Sequence, residues 1–365
     1  MPVYVCAESA LQHYRCALSP AEADRVALVA SIDDAVSLRK DVDLLNLTGL
    51  GLSSPSVAEP LHVLVSAEAV RGRSKSVLPT AWNGGLPKGS FREVNKDTYI
   101  SSPEFVFLQM ARVLDVVSLI ELGMELCGTY RREALGGLTT YDQPALTTPR
   151  KLAKFLEEAG QAYGIKVARQ AVKYVAPNSA SPFETIVYLL LCLPRRLGGY
   201  AFPAPKLNVG IKLGKRGRKH TLRRSSAPDL YWQDAKLDLE CHGKVHEREK
   251  TRTEDSMRRK ALERMDVEVI ELTYDEVKDQ NLFYATVRRL AKKLGVRLRA
   301  RSENGFDTHE QELRGALLPS DEGANHLWNE DELGSETFES WEGEELPSEF
   351  DSWEVYMADG DAPEL

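Results

Sequence analysis

A predicted β-hairpin between residues 228 and 241 is the feature that most constrains the fold of this chain. Two strand-like runs, 228–232 and 235–241, are joined by the turn-like pair Gln233-Asp234. Successive side chains of a strand alternate between its two faces. One face of the second strand therefore carries Leu237, Leu239 and Cys241, and the other carries Asp238, Glu240 and His242. The alternation predicts a core face and an opposite polar face.

The polar face holds residues that could bind a cation. Asp229 lies in the neighbouring strand of the hairpin, where it can approach Glu240. Two carboxylates brought together repel each other unless a cation lies between them, and Mg²⁺ prefers oxygen ligands of this kind. Such a metal activates water and stabilises charge on a phosphate under attack.

The spacing of these residues resembles a known nuclease motif. Asp229, a ten-residue gap, Glu240, then His242-Gly243 and His246 are similar to the motif of the PD-(D/E)XK nuclease superfamily, particularly its very-short-patch-repair (Vsr) endonuclease-like branch. A Ser-Pro-x-Glu helix start at residues 181–184 and the later run VEVIELTYDEV fit the same order. The match covers roughly residues 178–298.

The resemblance implies roles for five residues. Asp229 would be the central metal ligand and Glu240 the second, with Mg²⁺ or Mn²⁺ as the cofactor. Glu184 would be the acid from the first helix, and His242 and His246 would transfer protons or contact phosphate. The commonest superfamily form has Lys two residues after the second acid, where this chain has His242, with Lys244 two residues further on.

Each candidate also has a structural explanation. Glu184, three residues after Ser181, is expected to close a capping box. Asp229 follows a proline and could be an acid at a turn or strand edge. His242 and His246, with Cys241 adjacent, could instead hold zinc.

Basic segments surround the hairpin in the sequence. Seven Lys or Arg residues precede it, and two further clusters lie at 248–264 and 288–301. The seven are Lys212, Lys215, Arg216, Arg218, Lys219, Arg223 and Arg224. Neutralising phosphates releases counterions, so these residues predict contact with DNA, with RNA as the alternative partner, and little sequence preference. A solvated charged face is the competing interpretation.

The net charge of −8 conceals a division of the chain. Residues 303–365 contain 20 of the 55 acidic residues and one of the 47 basic residues, so the rest of the chain carries a net charge of +11. This acidic tail has no sustained apolar period and is predicted to be disordered. One expectation is that the tail covers the basic segment 212–224 as a phosphate mimic. The alternatives are that it recruits a partner protein or remains solvated.

The order of predicted elements indicates an α/β protein. A mixed α+β domain is predicted at 1–145, a helical connector at 146–177, and a restriction-endonuclease-like domain at 178–302, implied by the resemblance, with a mixed central sheet flanked by helices. Helices are predicted to start at Ser19, Ser102 and Ser181, the second continuing to near Gly128. The first domain resembles the region ahead of nuclease-like domains in antitoxin-like proteins, and no chemistry is assigned to it.

The remaining features favour a cytoplasmic protein. No run approaches the ~20 apolar residues of a membrane helix, and the start lacks a signal-peptide pattern. Five scattered cysteines without a C-x-x-C pair are most simply reduced thiols. The leading hypothesis is a Mg²⁺-dependent DNA endonuclease or nickase of bacterial defence or repair type. The alternative is a non-catalytic, nucleic-acid-binding, antitoxin-like regulator that retains a nuclease fold.

Overall fold

The computed structural model describes most of the chain before residue 319. The described residues are 2–16, 25–27, 50, 52, 55–56, 59–65, 76–82, 84–95, 97–132, 139–212, 225–243, 266–300 and 305–318. All of them belong to the first of two units into which the chain divides, residues 1–323. The helix start predicted at Ser19 and most of the acidic tail lie outside the described residues.

A six-stranded mixed sheet forms the N-terminal part. Its strands are β1 (Val3–Val5), β2 (Arg25–Ala27), β3 (Leu61–Val65), β4 (Val77–Ala81), β5 (Phe91–Asn95) and β6 (Thr98–Ser101), in the order β2-β5-β6-β1-β3-β4. β1 is parallel to β6 and β3 is parallel to β4, whereas the other pairs are antiparallel. Helix α1 (Ala7–Cys16) packs on it through Leu11 and Tyr14, both 1% exposed.

Four helices follow the first sheet. They are α2 (Pro103–Met110), α3 (Val116–Leu126), α4 (Pro149–Glu158) and α5 (Ile165–Ala171). The start at Ser102 is confirmed, because its hydroxyl accepts from the Phe105 N–H. The single helix predicted to reach Gly128 is wrong: the chain turns after α2, and Asp115 caps a new helix by accepting from the N–H groups of Val117 and Ser118. Apolar periodicity continues across this break, because both helices are buried in the same core.

The second sheet has four strands and is also mixed. The elements are α6 (Pro182–Cys192), β7 (Lys206–Leu207), β8 (Ile211–Lys212), β9 (Ser225–Ser226), β10 (Leu230–Trp232), β11 (Leu237–His242), β12 (Glu268–Thr273), α7 (Tyr274–Lys278) and α8 (Gln280–Leu294). The strand order is β12-β11-β10-β7, and β8 and β9 form a separate pair. The predicted hairpin is confirmed as β10 and β11, antiparallel, with Leu230 opposite Leu239. β12 joins β11 in parallel.

A final helix corrects the predicted extent of disorder. Residues 305–318 lie in the segment expected to be disordered from 303, yet α9 (Phe306–Leu317) is a helix with Phe306, Leu313 and Leu317 buried. Its Glu310 is fully buried and accepts a hydrogen bond from the Tyr200 hydroxyl at 2.9 Å. The acidic composition of residues 303–365 as a whole predicted disorder, although the segment includes this amphipathic helix.

These elements establish a mixed α/β protein with two mixed sheets. The restriction-endonuclease-like architecture of the second half stays a prediction. Within the part of the chain that is described, no helix has both the length and the apolar character needed to span a membrane.

Candidate active site at the end of strand β11

The end of β11 is where Asp229 and Glu240 meet. Asp229 directly precedes β10, and extending the register of Leu230 with Leu239 by one residue places Asp229 opposite Glu240. Opposed residues of antiparallel strands present their side chains on the same face. The Asp229 Oδ2 atom also accepts a hydrogen bond from the Cys241 N–H at 2.8 Å. The backbone of β11 therefore fixes the Asp229 carboxylate beside Glu240.

Glu184 comes to this region from the first turn of α6. The Ser181 hydroxyl caps the helix by accepting from the Glu184 N–H at 3.1 Å, as predicted. The Glu184 carboxylate accepts from the Ala180 N–H at 2.9 Å and from the Ser181 hydroxyl at 3.1 Å. The carboxylate thus reaches the N–H of the residue before the cap, and the side chain is only 7% exposed.

Asn208, which no motif of the sequence singled out, joins the two acids. Its Nδ2 atom donates to Glu184 Oε2 at 2.5 Å and to the Asn178 carbonyl at 3.0 Å, while its backbone N–H donates to the Asp229 carbonyl at 3.2 Å. Its φ of 49° is in the left-handed region, which Asn tolerates better than most residues. The Asn-Val-Gly run at 208–210 is the turn signal that could have drawn attention to it.

Burial and mutual repulsion perturb the titration of this cluster. Desolvation, followed by the negative charge of Asp229, raises the pKa of Glu184 from its ordinary 4.5 to about 8, although its three hydrogen bonds oppose the change. Burial also raises the pKa of the Cys241 thiol, and Asp229, Glu184, Glu240 and Asp238 raise it further. A Cys241 thiolate, which a zinc site using this residue would require, is therefore disfavoured.

The candidate histidines and basic residues are described only in part. His242 ends β11, is exposed, and has Thr273 as its register partner in β12. Lys212 is in β8. His246, Lys215, Arg216, Arg218, Lys219, Arg223 and Arg224 lie outside the described residues. The structure therefore brings Glu184 within electrostatic range of Asp229, and the register of the hairpin places Glu240 opposite Asp229 and two residues before His242.

A fourth acid near this region, Glu271 in β12, was not assigned a role from the sequence. It is the register partner of Glu240 in the parallel pair of β11 and β12, so both side chains share one face of the sheet. Its signal was the alternation of the run VEVIEL, in which Glu268 and Glu271 fall on opposite faces.

The predicted polar face of β11 needs one correction. Asp238 is fully buried, whereas Glu240 is half-buried and His242 exposed. The register partners of Asp238 are Tyr231 in β10 and Val269 in β12, and Tyr231, Val267 and Val269 form a small apolar cluster. This cluster covers the first part of the face, so only its end at Glu240 and His242 is polar and accessible.

The donor set suits a hard divalent cation. Asp229 and Glu240 offer carboxylate oxygens, and Mg²⁺ is commonly held by one or two carboxylates with water or phosphate completing its shell. Both Glu184 oxygens already accept hydrogen bonds, so Glu184 fits a supporting role better than direct ligation. Among the residues that the structure describes, no three His, Cys, Asp or Glu side chains are arranged as a metal cage.

Comparison of the chain with protein-family models, curated proteins and solved structures finds no match. The similarity to PD-(D/E)XK nucleases therefore rests on the motif residues themselves.

Proposed function

We propose that the chain is a metal-dependent endonuclease or nickase that hydrolyses phosphodiester bonds in DNA. The observation that carries the proposal is the position of Asp229, which accepts from the Cys241 N–H, lies opposite Glu240 across the hairpin and raises the pKa of Glu184. Structural acids are usually exposed or paired with cations. Here a nearly buried Glu184 instead lies in the field of Asp229.

Each side chain has a distinct part in this proposal. Asp229, fixed by the Cys241 N–H, and half-buried Glu240 would hold Mg²⁺ or Mn²⁺, which supplies an activated water and charge neutralisation at the phosphate. Glu184 would orient the site through Asn208 and would take up or release the proton that compensates for the cation. His242, at the exposed end of β11, would transfer a proton to the leaving oxygen.

The DNA substrate is inferred from charge. Lys212 and the basic residues at 215–224 precede Asp229 in the sequence, and Lys or Arg residues bind phosphates with strong salt dependence. A segment that binds phosphates would hold the DNA backbone, which contains the bond to be cleaved, rather than the bases. A role in bacterial defence or repair agrees with this chemistry.

Plasmid cleavage tests the proposal. Purified protein with supercoiled plasmid should produce nicked or linear DNA in Mg²⁺ or Mn²⁺ and none in EDTA. Asp229→Asn keeps the acceptor for the Cys241 N–H but removes the charge, and it should abolish cleavage. Asp234→Asn, an exposed acid in the turn of the same hairpin, is the matched control and should cleave as wild type. No cleavage by wild type, or equal cleavage by Asp229→Asn, would refute the proposal.

A specific observation favours a second function, that of a non-catalytic nucleic-acid-binding regulator. His242 occupies the place of the usual Lys. The hydrogen bonds that the Glu184 carboxylate accepts hold that carboxylate in place without a cation. In that case the protein would bind DNA in EDTA, while Mg²⁺ titration would give no heat and plasmid would stay intact.

A further inference from the structure

The charged residues in the C-terminal half of α8 and in the segment after it are all basic. Residues 280–300 contain six Lys or Arg residues and no Asp or Glu. The six are Arg288, Arg289, Lys292, Lys293, Arg297 and Arg299, and all are exposed. The helix packs through Phe283, Val287 and Leu290, so its four basic side chains lie on its outer surface.

Two of the six basic residues have a structural partner. Arg289 Nη2 lies 3.4 Å from one Glu268 oxygen, and Lys293 Nζ lies 2.5 Å from the other. Both are therefore used to join α8 to the start of β12. The single negative charge of Glu268 compensates for half of their combined positive charge.

The other four make up a basic surface on the C-terminal half of α8 and the segment after it. Arg288 and Lys292 are four residues apart and share a helix face, and Arg297 and Arg299 follow the end of the helix. No ion pair or hydrogen bond joins the side chain of any of these four to another residue that the structure describes. Attraction to the helix dipole explains Lys292 in the last turn, but it does not explain Arg288, Arg297 or Arg299.

Contacts hold the end of this surface in place. Gly295 ends α8 in the left-handed conformation, at a φ of 67°. The Arg195 guanidinium donates to the Ala300 carbonyl at 2.8 Å and lies over the Phe306 ring at 3.9 Å. The segment 296–300 is thus tied to the body of the protein, and the cost of ordering its arginines for binding is reduced.

We propose that Arg288, Lys292, Arg297 and Arg299 form a contact surface for the phosphate backbone of nucleic acid. This inference rests on the proposed function for the choice of DNA as the partner. A polyanion suits the surface because residues 280–300 contain no acid, and phosphates neutralised by these side chains would release the counterions condensed on the nucleic acid. The acidic residues 319–365 are the alternative occupant.

Binding of a fluorescent DNA duplex by the full-length chain in EDTA, across a range of KCl concentrations, tests this surface. The test variant is Arg288→Gln/Lys292→Gln. The control, Arg289→Gln/Lys293→Gln, removes the same number of charges from the same helix at the same spacing. Gln is a good helix former, so both helices should persist, which circular dichroism would verify.

The test variant should lose two phosphate contacts. The slope of log K against log salt should become shallower by about 2, with affinity at least about tenfold lower at 100 mM salt. The control should keep the wild-type slope. Equal losses of affinity and slope in both variants would show that only the net charge matters. A wild-type slope in the test variant would show that the surface does not contact DNA. Either result would overturn the inference. Because EDTA prevents cleavage, this result is independent of whether the chain is a nuclease.

Discussion

Glu184→Gln should change how the stability of the protein depends on pH. Because burial and Asp229 raise the folded-state pKa of Glu184 from 4.5 to about 8, its neutral form is favoured by folding. The corresponding stability is fully present below pH 4.5 and is lost as pH rises through 8. Linkage gives a loss on the order of 3 kcal/mol between pH 5 and pH 8. Gln cannot ionise, so the variant escapes this loss.

The variant side chain can keep the local hydrogen bonds. Its carbonyl oxygen can accept from the Ala180 N–H and Asn208, and its amide can donate to the Ser181 hydroxyl. Urea unfolding at a series of pH values should therefore show the free energy of unfolding of Glu184→Gln rising relative to wild type as pH increases.

A matched control separates this effect from helix capping. Glu276 has the same position in α7, where it forms a capping box with Thr273 in an exposed setting. Glu276→Gln should lose about 1 kcal/mol or less of cap stability. The reasoning is refuted if the difference between Glu184→Gln and wild type is constant from pH 5 to pH 8.

Three further predictions follow from individual contacts. Asn208→Gly should raise the pKa of Glu184 further, because the carboxylate loses a hydrogen-bond donor. NMR of the labelled carboxyl carbon measures this pKa. The control Asn178→Gly, also at positive φ, should leave the pKa of Glu184 unchanged. Arg15→Met should cost about 3–5 kcal/mol in urea unfolding, because it removes the partner of buried Glu125, whereas Lys154→Met, in an exposed pair, should cost less than about 0.5 kcal/mol. Tyr200→Phe should cost about 1–3 kcal/mol and speed hydrogen exchange in α9, because Glu310 loses a buried donor; unchanged exchange would contradict this packing.

Local signals predicted much of the second half of the chain. Alternation identified β10 and β11, and the Ser-Pro-x-Glu pattern located the start of α6, because both features depend on a few neighbouring residues. The apolar run at 267–272 likewise predicted β12, which the structure places at Glu268–Thr273.

Features that depend on distant contacts escaped prediction. The burial of Asp238 is set by Tyr231 and Val269 on neighbouring strands, and Asn208 matters only because its turn lies beside Glu184. The break before Asp115 was hidden because apolar periodicity continues through it. Helix α9 was hidden within an acidic composition, although its Phe306 and Leu313 lie on one helix face.

Calorimetric titration with Mg²⁺ at pH 7 tests the central claim, a cation held by Asp229 and Glu240, most directly. We expect one ion to bind per chain and a proton to be released, since the added positive charge lowers the pKa of Glu184. Repeating the titration in buffers of different ionisation enthalpy counts that proton. Asp229→Asn should abolish the heat, and Asp234→Asn should retain it. Absence of binding by the wild-type chain, or equal binding by Asp229→Asn, would contradict the assignment of this acid cluster as a metal site.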